Sequence, residues 1–278
     1  MTTQGVQRTS GQLRQHYETE KELAARLRSS SREERVSLYG TLYEELFRRV
    51  SLHPQLTRGQ TDNTVALLVA TKMRLLRRFL GPTKVFLELG AGDCQLALAA
   101  AGYVGQAYAL DVTPDVMKGL QGPANFEFIL SGGTDIPLPP SSVNVAYSYQ
   151  LMEHIHPDDA HDQLSNLYTT LAPGGVYVCI TPNRLSGPHD ISRYFDPVAT
   201  GFHLREYTIT EVARLFRIAG FKSVLSYPGI RGCFWSMPIP PVSGLELAID
   251  TLPPGLKRAV ASAPLVRNVL LAAVIGIK

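Results

Sequence analysis

Gln150, Glu153 and His154 fall within one five-residue stretch, and His156 follows two positions later. Imidazole beside carboxylate can take a proton from a hydroxyl or an acidic carbon, because histidine titrates near neutral pH. His189-Asp190 is a second such pair, and His203 opens the run His203-Leu204-Arg205-Glu206. His156 precedes Pro157-Asp158-Asp159. That run reads as a helix start, with proline in the first turn and acids favouring the dipole, so His156 is expected to be structural. Tyr17, in His16-Tyr17-Glu18, and Tyr149 are expected at the substrate rather than in proton transfer.

A second group of residues points to a bound nucleoside. The apolar run from Val85 to Leu89 ends in Glu88-Leu89-Gly90-Ala91-Gly92, and an Ala/Leu-rich stretch follows. Glycines at a strand-to-helix turn let the backbone approach a ligand and leave helix-terminal N–H groups pointing at it. Tyr108-Ala109-Leu110-Asp111 ends the next apolar run, followed by Val112. An acid roughly 20 residues beyond the glycines can accept hydrogen bonds from both hydroxyls of a ribose. A dinucleotide fingerprint requires a third glycine where this chain has Gln95, and Glu88 would repel a pyrophosphate. Glu88 instead suits a ligand carrying an ammonium, which points to S-adenosylmethionine. A degenerate NAD site and a glycine turn without ligand are the competing readings.

The run from Glu88 resembles the first motif of class I S-adenosylmethionine-dependent methyltransferases, acid-x-Gly-x-Gly-x-Gly, with Cys94 in the third glycine's place. Ser131-Gly132-Gly133-Thr134-Asp135 resembles the family's adenine-contacting loop. Many relatives carry aspartate where this chain has Gly132, so the resemblance leaves the adenine contact to backbone of Gly133 and Thr134. The turn Leu171-Ala172-Pro173-Gly174-Gly175 and the exit Thr181-Pro182-Asn183 look like the ubiquinone-biosynthesis type of small-molecule methyltransferase. The likeness spans residues 83 to 225. Those relatives carry Glu-x-x-Glu-His, a magnesium site, where this chain has Gln150-x-x-Glu153-His154. A hard cation prefers carboxylates, and one of them is neutral here, so no metal is expected.

The resemblance implies S-adenosylmethionine as methyl donor, held by Glu88, Leu89, Gly90, Ala91, Gly92, Asp111, Val112, Gly133, Thr134 and Gln150. It implies His154 as general base assisted by Glu153, with Tyr17, Tyr149 and His203 at the acceptor. The expected reaction is methyl transfer to a small hydrophobic molecule at oxygen, with carbon the runner-up. From other classes, RNA methylation and a nucleoside-binding protein that no longer transfers stay open.

These residues need an α/β frame, a Rossmann-like doubly wound and mostly parallel sheet, because strand and helix patterns alternate after Lys84. The expected units are a helical N-terminal lid over 1–80, a core over 81–232 and a hydrophobic extension over 233–278. Helices are expected over Gly11–Arg28, Arg32–Val50 and Thr61–Leu80, and residues 185–201 are expected to roof the acceptor pocket. Residues 1–80 hold 14 Lys/Arg against 8 Asp/Glu. Acids interleave with the arginines at helical spacings, which reads as solvated helix faces rather than a nucleic-acid surface. Three cysteines on unrelated segments argue for a reducing cytoplasm and against a disulfide framework or zinc site. The apolar stretch from Leu265 to Ile277 is too short to cross a bilayer, which takes about 20 residues. It is expected to pack on the core or on a second subunit, or to touch a lipid surface beside Lys257, Arg258 and Arg267.

Overall fold

The computed structural model describes residues 8–53, 62–113, 121–230 and 232–278. β1 (Val85–Leu89) is buried at every position after the first, as a strand covered on both faces must be. It pairs in parallel with β2 (Gln106–Asp111) and with β4 (Val143–Tyr149). β3 (Phe126–Leu130) extends one side, and β5 (Leu171–Ile180) the other. β6 (Ser223–Tyr227), β9 (Met237–Pro238) and β10 (Ala273–Ile277) complete an eight-stranded sheet in the order β3-β2-β1-β4-β5-β10-β6-β9. Strand order reverses between β1 and β4, so a crevice opens at their carboxyl ends.

Helices cover both faces. α3 (Asp62–Leu76) and α4 (Gln95–Ala101) bury Met73, Leu75, Leu76, Leu96 and Ala100 against Phe86, Ala107, Val145 and Tyr147. α5 (Pro157–Thr170) and α6 (Ile209–Ile218) bury Leu164, Leu167, Val212 and Phe216 against Leu87, Ala146 and Tyr177. α6 starts at a reciprocal cap between Thr208 and Glu211. Such a cap contributes about 1 kcal/mol. The helix expected between β2 and β3 lies outside the described residues. The expected Pro-Gly-Gly turn is an irregularity inside β5, with Gly174 at φ 73° where pairing with β4 shifts register.

α1 (Ser10–Ser29) and α2 (Arg32–Arg49) each begin at a capping box, Thr9 with Gln12 and Ser31 with Glu34. They share an apolar cluster of Leu23, Leu27, Leu42 and Leu46 with Phe202, Leu204 and Val112. α2 is pinned to α5 by Arg35, whose guanidinium donates to both oxygens of the buried Asp159 at 2.7 and 2.6 Å. A side chain at Gly40 would place its Cβ 3.1 Å from the Val112 carbonyl, so α2 lies directly on the exit from β2.

Two expected boundaries differ from this arrangement. α3 is a layer of the core rather than of the lid, because its buried face packs on the sheet with α4. The apolar tail is not an appendage throughout. Ala273–Ile277 runs antiparallel between β5 and β6 and is buried except at its end. What separates β6 from β10 is an insertion holding β7 (Gly229–Ile230), β8 (Cys233–Phe234), β9, α7 (Ile239–Asp250), α8 (Pro254–Ser262) and α9 (Pro264–Leu270). Glu246 locks it down, accepting from the backbone N–H groups of Ile209 and Thr210 at 2.7 and 2.9 Å and from Asn183 Nδ2 at 2.8 Å. Among the described residues, no helix is long and apolar enough to cross a membrane.

Candidate functional site

The glycine turn leaves β1 with Gly90 and Gly92 in the left-handed region, at φ 66° and 53°. Beyond Gly92 the space where a Cβ would sit is open for 4 Å. Its N–H donates to Asp111 Oδ2 at 2.9 Å, and Thr113 N–H donates to Oδ1 at 3.0 Å. Asp111 is thereby fixed at the end of β2. Burial raises its pKa, and the backbone N–H groups pull it back. A carboxylate so held, facing an open glycine backbone, fits the ribose end of a nucleoside. Ala91 and Leu89 are buried supports of this turn, and Leu151 of the Gln150-Leu151 step packs against Gly90.

Glu88 serves the turn as well. Its carboxylate is 4% exposed and accepts the Ala97 N–H at 2.9 Å, so it caps one of the orphan donors of α4. Burial pushes its pKa up to about 8 against the opposing pull of Lys72. The adenine loop differs from expectation. The Gly133 carbonyl accepts from Gln163 Nε2 at 2.8 Å, its N–H donates to Ser131 Oγ at 3.0 Å, and the Thr134 carbonyl accepts from Asn166 at 3.0 Å. A Cβ at Gly133 would lie 2.6 Å from the Tyr39 ring. α2 therefore closes over this loop, and most of the backbone expected for adenine is already engaged.

At the end of β4 the chain turns sharply, with Gln150 at φ 52°, into a short 3₁₀ turn over Met152–His154. That turn brings Glu153 and His154 to His203. The His154 and His203 rings meet edge to face with centroids 4.9 Å apart. His154 Nδ1 donates to the Phe202 carbonyl at 2.9 Å, which fixes the tautomer and leaves the Nε2 lone pair free. Burial, then the nearby His203, depress its pKa to about 3. His203 Nδ1 donates to Glu206 at 2.7 Å, and this partner raises its pKa against the opposing effect of burial. Glu153 is fully buried. One oxygen accepts from Thr181 Oγ1 at 2.9 Å and the other has no partner. Burial pushes its pKa up to about 7.

Ligating atoms of Glu153, His154 and His203 lie within 4.8 Å of one another, a spacing that could hold a cation. His16, Glu20 and His53 meet the same spacing. There, however, Arg8 contacts His16 Nδ1 at 2.8 Å, so Nε2 carries the proton and donates it to Glu20 at 2.6 Å. That cluster is a hydrogen-bonded brace of the lid.

Tyr43 on α2 went unnoticed in the sequence. Its ring stacks on Phe202 with centroids 5.1 Å apart and stands edge-on to His154 at 6.1 Å. It was a lone aromatic on an amphipathic helix, with no spacing to mark it. Tyr17 goes the other way. It is buried with its hydroxyl on Asp196 at 2.5 Å and its ring on Phe195, tying α1 to the 185–201 segment instead of facing a ligand. Tyr149 is 40% exposed at the end of β4. His156 caps α5 as expected, accepting from Asp158 N–H. His189 and Asp190 do not act as a pair, since Asp190 turns to Ser192 and Gly201, and His189 to Ser186 and Asn183.

Residues 87–179 match a methyltransferase domain family. A Mycolicibacterium smegmatis (strain ATCC 700084 / mc(2)155) protein named as a probable S-adenosylmethionine-dependent methyltransferase is 35% identical over 88 residues, 32% of this chain and 32% of that one. The chain thus spans about a third of that curated relative. Among solved structures, a chain of the complex containing the Haloferax volcanii Trm112 methyltransferase activator aligns with a TM-score of 0.56 at 17% identity, covering 79% of this chain and 94% of that one. An S-adenosylmethionine-dependent methyltransferase from Mesorhizobium loti aligns at 0.52 and 14% identity, covering 75% and 98%. One from Archaeoglobus fulgidus aligns at 0.51 and 17%, covering 77% and 94%. These likenesses bear on the fold. Residues 87–179 thus resemble a methyltransferase domain, set in a chain whose sheet is Rossmann-like.

Proposed function

We propose that the chain moves the methyl group of S-adenosylmethionine to an oxygen of a small hydrophobic molecule, with His154 drawing off the proton. The observation that carries this reading is the single locked tautomer of His154, unprotonated and with Nε2 free at the end of β4. The donor's sulfonium makes its methyl electrophilic, so the protein's task is to hold a nucleophile in line and accept its proton. Positioning contributes on the order of 7–11 kcal/mol at best. A placed base adds roughly two to four powers of ten in rate. As the proton reaches His154, the unpartnered oxygen of Glu153 offsets the new charge.

Tyr43 stands edge-on to the imidazole and is itself stacked on Phe202, and this aromatic surface supports an apolar acceptor. Transfer to carbon would use the same lone pair, and identifying the product separates the two. For RNA the surface is poor. Arg14, Arg26, Arg32 and Arg49 of the lid are each paired with a carboxylate, which leaves less positive charge for phosphates among the described residues of α1 and α2. Exposed Leu247, Leu256 and Leu265 beside Arg258 and Arg267 support contact with an anionic lipid surface or a second copy through α7–α9.

The test is transfer of labelled methyl from S-adenosylmethionine into a lysate divided into organic-soluble, polar, protein and RNA fractions. Label in the organic fraction is expected. Label in RNA would overturn the small-molecule reading.

A further inference from the structure

Lys72 lies on the buried side of α3, beside the crevice between β1 and β4. Its ammonium sits 4.2 Å from the centroid of the Tyr149 ring and 6.0 Å from that of Tyr147. The side chain is half-buried, and among the described residues it has no hydrogen bond and no carboxylate within ion-pair distance. The acids whose fields reach it are Glu88 and Asp93, which flank the glycine turn. Both already have other partners, Glu88 the Ala97 N–H and Asp93 the Gln95 N–H. A cation withdrawn from water costs free energy unless something compensates it. Here only aromatic faces do so, and the acids that could are turned to backbone.

We propose that Lys72 anchors the carboxylate at the amino-acid end of the methyl donor. The assignment rests on the cofactor reading above. S-adenosylmethionine carries two positive groups, the sulfonium and the ammonium, and one negative group, the carboxylate. Asp111 and the open backbone at Gly92 fix the ribose end on the β2 side of the turn. The amino-acid end then lies toward β4, where Tyr149 and Lys72 stand. A cation at that place attracts only the carboxylate. Tyr149 holds the ammonium over its ring, so the lysine is oriented before the ligand arrives. Its recruitment from α3 also explains why a helix that precedes the first strand belongs to the core layer.

The test compares two ligands that share the thionucleoside. S-adenosylhomocysteine carries the carboxylate, and 5′-methylthioadenosine lacks the whole amino-acid end. Calorimetric affinities would be measured for both with the full chain, Lys72→Met and Lys72→Arg. In Lys72→Met, S-adenosylhomocysteine is expected to bind about tenfold weaker or worse, as for loss of a charge-assisted hydrogen bond. Methylthioadenosine is expected to stay within about twofold, and Lys72→Arg to keep most of the affinity. If S-adenosylhomocysteine binds the Met variant as well as it binds the parent, the anchor is lost and the cofactor reading stands. If both ligands weaken together, Lys72 merely supports the fold of the cleft and the proposal fails. If the parent chain binds neither, the cofactor reading falls and takes this assignment with it.

Discussion

His154 and His203 stand ring edge to ring face at 4.9 Å, yet their surroundings push them in opposite directions. His154 has only a carbonyl at Nδ1, so burial and the nearby His203 depress it to about 3. His203 has the Glu206 carboxylate at the same atom, and its proton is held more tightly than usual. Neighbouring groups driven apart in this way are suited to different roles in proton transfer.

The pH profile follows from these shifts. His154 is unprotonated at every pH above about 3, so it sets a level of activity and no limb. Glu153 titrates near 7 and is needed as the anion, so kcat/KM should rise as pH passes upward through about 7. His154→Ala should lower the plateau by roughly two to four powers of ten and leave the limb in place. Glu153→Gln should abolish the limb. Persistence of the limb in Glu153→Gln would show that another member of the coupled cluster titrates there.

Tyr43 stands edge-on to His154 and stacks on Phe202. A stacked aromatic pair contributes about 0.5–1.5 kcal/mol beyond the area it buries. Tyr43→Ala should therefore raise KM for the acceptor several-fold, while Tyr43→Phe should leave it close to the parent. S-adenosylhomocysteine affinity should hold in both. A fall in cofactor affinity in Tyr43→Ala would move Tyr43 from the acceptor side to the donor side.

The parts legible in the sequence were those encoded by local pattern. Gly90, Gly92 and Asp111 announce themselves because a strand-turn-helix unit needs these residue types at this spacing. Tyr43, Lys72 and the Phe202 carbonyl reach the site only through packing of α2, α3 and a loop onto strand ends, which no spacing records. β10 was expected to pack on the core but was not recognised as a strand, for a related reason. A fully buried strand is apolar at every position, so Ala273–Ile277 looks like a tail until its neighbours on both sides are known. Glu88 shows the same limit. Its position matched a motif, which does not record that its carboxylate also caps the first turn of α4.

Asp111 should be the most sensitive cofactor residue. Each hydrogen bond to a charged group is worth about 1.5–3 kcal/mol. Asp111→Asn keeps the shape but gives up charge and replaces one acceptor by a donor facing Gly92 or Thr113. S-adenosylhomocysteine binding should weaken by about 10- to 100-fold, as read by calorimetry. Unchanged affinity would remove the ribose role from the end of β2.

The lid should fail first in acid. Glu20 is 6% exposed, and hydrogen bonds from His16 and His53 outweigh its burial, bringing its pKa down to about 2. A depressed carboxylate contributes stability above its unfolded value, near 4.5, and loses it as pH falls toward 2. His53 is depressed by burial, so protonation of the unfolded chain below about 6.5 acts in the same direction. The protection of α1 and α2 relative to the intrinsic exchange rate should therefore weaken as pH falls below about 6.5, most steeply from 4.5 toward 2, while the strands stay protected. Glu20→Gln should flatten that dependence. Equal loss of protection in sheet and lid would mean that the two unfold as one unit.

The last strand distinguishes a tail from a core element. β10 pairs with β5 over Val274–Ile277 and with β6 over Ala273–Ile277, and Lys278 donates to the carbonyls of Tyr168 and Leu171 at 2.7 and 2.6 Å. Removing residues 273–278 would strip partners from two strands and expose the apolar faces of Phe216, Phe221 and Val178. Fully burying a large apolar side chain is worth about 1.5–3 kcal/mol, so the loss rivals the whole stability of a domain. The shortened chain should be insoluble or molten, with no cooperative thermal transition. Val274→Asp should do the same with one substitution, because it buries an unpaired charge between β5 and β6. Leu265→Ser, on the exposed surface of α9, should leave the melting temperature unchanged and weaken sedimentation with anionic vesicles. A stable, folded chain lacking 273–278 would return this segment to the role of a free apolar extension.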